Sequence, residues 1–211
     1  MQEIKQVNKD HYFTEGYCSA RRFISFSEQI RIAMGCKPDN ILEVGIGNGF
    51  VSEFLKNQGE KVTTVDIDKE LNPDCVASIM ELPFKNNSFD CVCCYEVLEH
   101  LPFRCFDKAL KELQRVSKNN VLISLPDAGR CIPFVFPIPD PKYKVRLYRK
   151  LIEMPFLKIE HKFDGQHYWE INKRGYDLDF VSIFLNRYFE IKATYRLFSV
   201  PYHRFFKLVV K

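Results

Sequence analysis

Ile41-Leu-Glu-Val-Gly-Ile-Gly-Asn-Gly49 decides how the rest of the chain is read. Ile41, Leu42 and Val44 make a short apolar run with the branching of a buried strand. Gly45, Gly47 and Gly49 follow at every second position. Val51, Phe54 and Leu55 then recur at helical spacing, so the glycines fall in a strand-to-helix turn. Such a turn lets backbone amides approach a ligand that a Cβ atom would exclude, and the opening helix N-terminus favours an anionic group. The stretch reads as a ligand cradle. Spacing narrows the ligand: a dinucleotide fingerprint needs a glycine at position 50, where this chain has Phe50, and the Gly-Lys-Ser/Thr of a P-loop is absent.

Working outward, Lys61 to Val65 read as a second strand ending in Asp66-Ile-Asp68, and Cys75 to Ser78 as a short third. Phe89 to Tyr95 read as the fourth strand and Val121 to Leu125 as the fifth. Between these two, Phe106, Ala109, Leu110, Leu113 and Val116 form one helical stripe. Strands alternating with helices at this interval imply a doubly wound parallel sheet, whose ligands sit at the strand C-termini. Gly45, Asp66, Ser78 and Glu96 all fall at such ends. An acid about 20 residues beyond the glycines, Asp66, is placed to accept from ribose hydroxyls. Asp68 suits a turn or a helix cap.

Taken together, Glu43-Val-Gly-Ile-Gly-Asn-Gly49, Val65-Asp-Ile-Asp68, Glu81-Leu-Pro-Phe84, Ser88-Phe-Asp90 and Glu96-Val-Leu-Glu-His-Leu101 resemble the successive motifs of class I S-adenosylmethionine (SAM)-dependent methyltransferases, in the branch that modifies small molecules and glycans. The resemblance runs from about residue 40 to 127. It implies an α/β, Rossmann-like, mostly parallel seven-stranded sheet closed by an antiparallel C-terminal hairpin. It implies SAM as cofactor and S-adenosylhomocysteine as product. Gly45, Ile46 and Gly47 would pass the methionine part, with Glu43 stabilising the turn or the amino group. Asp66 would hold the ribose and Ile67 would pack on the adenine. Ser78 and Ile79 would meet the adenine edge, although many relatives carry an acid at the position of Ser78. Tyr95 to Val97, with Glu96 between them, would lie near the methionyl end. Methyl transfer needs a nucleophile in line with the S–methyl bond, and positioning supplies much of the acceleration. A base is needed where the acceptor must lose a proton, and His100 is the candidate; the alternative is a helix-start residue bonded to backbone.

With 211 residues, a net charge of +4, 46% apolar and 27% charged residues, the chain fits one soluble globular domain. No apolar run reaches the roughly 18 residues of a membrane span. The opening Met-Gln-Glu-Ile-Lys has no apolar signal region, so a cytoplasmic protein without membrane association is expected. Of the eight cysteines, Cys91 and Cys94 form a C-x-x-C, but they sit in a strand-like run and no second pair completes a tetrahedral set. They read as core, and no metal is expected.

The remaining segments bear on the acceptor. Residues 1–38 read as an N-terminal helix preceded by aromatics, with Tyr12 and Tyr17 either lying over the ligand or packing on the sheet. Residues 128–170 depart from the alternating pattern and read as an acceptor-side insertion. Its proline-rich stretch from Ile132 to Pro139 is followed by a helix carrying Lys142, Arg146 and Arg149/Lys150 on one face. Phe163 to Glu170 hold the single tryptophan. Tyr17, His167 and Trp169 are candidates to grip a polar acceptor such as a sugar, with a core tryptophan as the alternative. Tyr176 to Leu185 read as a helix, and strict alternation from Phe189 to Leu197, then Phe205 to Val210, gives the terminal hairpin. The function expected is methyl transfer from SAM to a small-molecule or saccharide acceptor. The alternatives are an RNA or protein methyltransferase, or an inactive SAM-binding-like interaction protein. Only one local basic face argues for nucleic acid.

Overall fold

A computed structural model describes residues 6–142, 144–154 and 158–211. The opening five residues, and positions 143 and 155–157 of the insertion, lie outside the described residues. Seven strands form one sheet: β1 (Ile41–Val44), β2 (Val62–Asp66), β3 (Cys75–Val76), β4 (Phe89–Tyr95), β5 (Ser117–Pro126), β8 (Phe189–Arg196) and β9 (His203–Val210). Their order is β3-β2-β1-β4-β5-β9-β8. The first five run parallel, and β9 and β8 close the sheet antiparallel. Reversal of strand order at β1 and β4 leaves a crevice at their C-terminal ends.

Helices cover both faces. Helix α1 (Ala20–Gly35) starts on Ser19, whose hydroxyl accepts from the Arg22 amide. It shares one buried cluster with α2 (Phe50–Asn57), including Phe26, Ile32, Val51 and Leu55 against Ile41 and Cys91. Helices α3 (Phe106–Val116) and α4 (Leu178–Tyr188) pack on the other face, over Leu42, Val44, Val92 and Cys94. Cys91 and Cys93 thus point to one face and Cys94 to the other, as strand alternation requires. Cys91 and Cys94 cannot share an ion.

The helical insertion expected after residue 128 is not what forms. Residues Arg130–Asp140 (β6) and Lys144–Met154 (β7) pair instead as a separate antiparallel two-stranded ribbon. A ribbon of two strands consists of edges alone, and edges tolerate proline. Pro133, Pro137 and Pro139 share one parity of the register, so their missing N–H groups fall on the same side of the strand. The ribbon stands off the domain with Phe134, Phe136, Leu147 and Tyr148 about half exposed. Its base is tied down where Glu153 pairs with Arg204 at 2.6 Å, and Arg204 in turn with the buried Asp127 at 2.6 Å.

Trp169 is a second correction. It is fully buried, makes edge contacts with Phe103 and Phe106 at centroid separations of 5.0 Å, and donates its indole N–H to the Leu101 carbonyl at 3.1 Å. A large aromatic with a satisfied polar tip is a core residue, so it grips no acceptor. Among the described residues, no helix is long and apolar enough to cross a membrane. We expect Trp169→Ala to destabilise the fold by about 3–5 kcal/mol, the range for deleting a buried large aromatic. Urea unfolding followed by circular dichroism checks it, and a loss under about 1 kcal/mol contradicts the core assignment.

Candidate functional site: a cavity at the strand C-termini

The crevice beyond β1, β2 and β4 opens into a cavity floored by the glycine turn. Gly45 has φ +81°, and a Cβ there would stand 2.2 Å from Val97 Cγ2, so no other residue fits. Gly47 has φ +54°, and its Cβ would meet the Tyr17 hydroxyl at 3.0 Å. The turn is therefore pressed between Val97 below and Tyr17 above.

Asp66, at the end of β2, fixes the turn. One carboxylate oxygen accepts from the Ile46 amide at 3.0 Å and the other from the Asp68 amide at 2.8 Å. Each oxygen keeps a lone-pair direction for a further donor. Burial raises the Asp66 pKa against the pull of these amides. Glu43 lies deeper, 4% exposed, and burial pushes its pKa up to about 8. Ile67, Ala77 and Ile79 give the cavity an apolar side.

The far wall comes from the segment leaving β4. Tyr95 and Glu96 both line the cavity, with the Tyr95 hydroxyl donating to the Gln29 carbonyl at 3.2 Å. Glu96 adopts φ +54°, a strained conformation for a non-glycine residue, and its Oε1 is buried without a hydrogen-bond partner among the described residues. His100 also lines the cavity. Its Nδ1 faces the Gln166 carbonyl at 3.1 Å and Gln6 Oε1 at 2.6 Å, so Nδ1 carries the proton and Nε2 the lone pair. Burial, and then His167, lower its pKa to about 4, so the ring is neutral at pH 7. Behind it stands Glu99, fully buried and with its pKa driven well up by burial and by Glu96.

The N-terminal segment closes the cavity. Gln6 and Val7 line it, and Gln6 also donates to the His100 carbonyl at 2.8 Å. Tyr12 and Tyr17 meet edge-on at 5.2 Å between ring centroids, and Arg22 sits over the Tyr17 ring at 4.6 Å. Of the residues singled out from sequence, Glu43, Gly45, Ile46, Gly47, Asp66, Ile67, Ile79, Tyr95, Glu96, His100 and Tyr17 converge on this cavity. Ser78 does not line it: its hydroxyl accepts from the Met80 amide at 3.1 Å, and Ala77 and Ile79 flank the space instead. His167 stands off the cavity too, meeting the His100 ring edge-on at 5.1 Å. Val97, expected with Tyr95 and Glu96, lines it as well, whereas Gln6 and Arg22 were not anticipated. They belong to no motif, and only the folded chain brings them in.

This strand order, with a glycine turn after β1 and a strand-end carboxylate after β2, defines a Rossmann-like doubly wound sheet with its ligand crevice at the strand C-termini. Residues 42–125 match the family described as a methyltransferase domain. An uncharacterized protein of Methanocaldococcus jannaschii, MJ0638, is 35% identical over 88 residues, covering 37% of this chain and 36% of that protein. The chain thus spans about a third of that relative. The crystal structure of the PH0226 protein of Pyrococcus horikoshii superposes with a TM-score of 0.62 at 16% identity, over 97% of this chain and all of the other. A Burkholderia thailandensis 1,6-didemethyltoxoflavin-N1-methyltransferase, solved with 1,6-didemethyltoxoflavin and S-adenosylhomocysteine, gives 0.57 at 15% identity, over 88% of this chain and 78% of that one.

Glu43 sets a pH dependence. A carboxyl whose folded pKa is about 8, against an ordinary value of 4.5, contributes stability that is complete below pH 4.5. That contribution is lost as pH rises through 8. Glu43→Gln lacks this titration. Its Tm, measured from pH 5 to 8 without ligand, should therefore rise relative to wild type across that window, and a constant difference would contradict the raised pKa.

Proposed function

We propose that the protein transfers the methyl group of SAM to a small-molecule acceptor. The observation that carries this reading is the Asp66 carboxylate, held by the Ile46 and Asp68 amides beside the Gly45–Gly47 turn and open to the cavity. Two ribose hydroxyls would donate to its remaining lone pairs. Ile67 and Ile79 would flank the adenine, and the glycine turn would leave room for the methionine part. Arg22, facing the cavity from α1, would meet the methionine carboxylate, while Glu43 and Glu96 favour its ammonium group and the sulfonium. The acid-rich floor suits a cofactor carrying two positive centres.

This chain needs little further chemistry. Tyr12, Tyr17 and the Gln6 segment cover the cavity and exclude water, so the acceptor is held against the sulfonium methyl. The acceptor attacks, the S–methyl bond breaks, and S-adenosylhomocysteine leaves. The neutral His100 ring, with its Nε2 lone pair at the cavity wall, is the group placed to orient an acceptor hydroxyl or take its proton. A saccharide acceptor remains within the reading, but the stacking tryptophan that favoured it is core. A small molecule enclosed beneath the N-terminal segment is the form we favour.

Calorimetry with SAM, S-adenosylhomocysteine and NADH tests the reading. SAM and its product should bind and NADH should not, and tight NADH binding without SAM binding overturns it. Asp66→Ala should weaken SAM binding by about 1.5–3 kcal/mol, the range for hydrogen bonds to a charged group. Wild-type affinity in that variant removes Asp66 from the ribose site.

A further inference from the structure

We propose that Glu99, His100 and His167 form a site for a divalent first-row transition cation of the zinc class, set in the wall of the cavity. One carboxylate oxygen of Glu99 and one ring nitrogen of each histidine lie within 4.8 Å of one another. A cation at their centre would reach all three with small side-chain adjustments.

Glu99 is the observation that calls for a ligand. Its side chain is fully buried, and among the described residues neither carboxylate oxygen has a hydrogen-bond partner. Buried carboxylates are almost always bonded, and one left bare is costly. The groups of matching chemistry beside it are the two imidazoles, and two neutral rings offer it no charge.

Those rings are oriented as metal ligands are. His100 Nδ1–H is held by the Gln166 carbonyl and by Gln6, and His167 Nδ1 faces a Glu170 carboxylate oxygen at 3.0 Å. Glu170 is itself fixed by the Tyr202 hydroxyl at 2.7 Å. Engagement of Nδ1 by a carbonyl or carboxylate sets the tautomer and leaves Nε2 as the donor, the arrangement that supports metal-bound histidine. The backbone supports the pairing across a long stretch of chain. The Tyr168 amide donates to the Glu99 carbonyl at 2.8 Å, and Trp169 is anchored on Leu101, so His167 is docked against His100 from both sides.

The donor set selects the ion. Two imidazoles and one carboxylate suit zinc, manganese, iron or cobalt, whereas magnesium and calcium favour all-oxygen shells. Three protein donors leave a position open, and His100 places it at the cavity wall. A neighbouring group, Asp164, His167 and Glu170, is less suited. Asp164 already accepts from the Gln166 and His167 amides, and Glu170 from Tyr202. If the methyltransferase reading holds, on which this last step rests, the cation would replace His100 Nε2 as the group meeting the acceptor: with that lone pair given to the ion, the open position would take an acceptor oxygen and favour its deprotonated form.

The test uses the full chain after treatment with a chelator, titrated with Co²⁺ and read by visible absorption. We expect one equivalent to bind with a ligand-field spectrum that one equivalent of Zn²⁺ abolishes. His167→Gln and Glu99→Gln should each weaken Co²⁺ binding by tenfold or more, and Glu170→Gln by about 10–100-fold, the cost of losing a partner that orients a ligand. SAM affinity is measured on the same samples and should change less than about twofold, under ~0.5 kcal/mol, because Glu99, His167 and Glu170 do not line the cavity. SAM binding without any Co²⁺ spectrum overturns the metal site alone. Co²⁺ binding without SAM binding overturns the methyltransferase reading and leaves the site standing. Equal Co²⁺ affinity in wild type and Glu99→Gln overturns the assignment of ligands, and should His167→Gln fail to fold, the comparison of Glu99→Gln with wild type decides the matter.

Discussion

The Asp66 carboxylate joins the turns that follow two strands already paired in the sheet. By accepting from Ile46 and from Asp68 at once, it holds the turn after β1 against the turn after β2. The three glycines permit the turn's left-handed path, but they do not select it; a flexible turn needs a tether to become a site. The tether is 9% exposed and burial works against its charge, so its two backbone donors offset a real cost. Moving either strand by one residue would part the carboxylate from one donor.

Around this point the fold concentrates acids that a packed core would exclude. Glu43, Asp66, Glu96 and Glu99 lie within or just behind one cavity, in a chain whose net charge is +4. Each is under-solvated, and Glu96 adds a strained backbone. Arrangements of this kind lower stability in the empty protein and are retained where a ligand relieves them. A sulfonium and an ammonium group would relieve Glu43 and Glu96 from the cavity side. A cation between Glu99 and the two histidines would relieve the layer behind.

How much of this was legible in the sequence follows from which signals are local. Helix α3 was readable to its ends because its apolar stripe has a clean 3.6-residue period. The strand of Phe89 to Tyr95 was readable because it is short, branched and apolar. The ribbon was misread because Arg146 and Lys150, like Tyr148 and Ile152, are four apart, a spacing that fits a helix face and equally a strand face of period two. Prolines upstream excluded a helix there but did not exclude an edge strand. Trp169 was misread for a different reason. A tryptophan with polar neighbours has the same local sequence whether its ring meets solvent or core, and what decided it was the distant pair Phe103 and Phe106. Arg22 and Gln6 were invisible on the same ground, since their roles exist only once α1 and the N-terminal segment lie over the sheet.

The long connection after β5 has two parts whose constraints differ. The ribbon projects outward, and it meets the domain chiefly at its base through Glu153 and Arg204. The return segment is bound tightly: the Ala128 amide donates to Ile171 and the Ile171 amide to Pro126, Tyr168 bonds Glu99, and Trp169 bonds Leu101. These contacts brace the wall that carries Glu96, Glu99 and His100, so that part of the insertion is structural support for the cavity and not an addition to it. The ribbon can therefore vary in length or surface chemistry with little effect on the cofactor side, because none of the hydrogen bonds described for the turn or the wall passes through it. A division of this kind lets the ribbon change while the Asp66 tether, and everything registered on it, stays fixed.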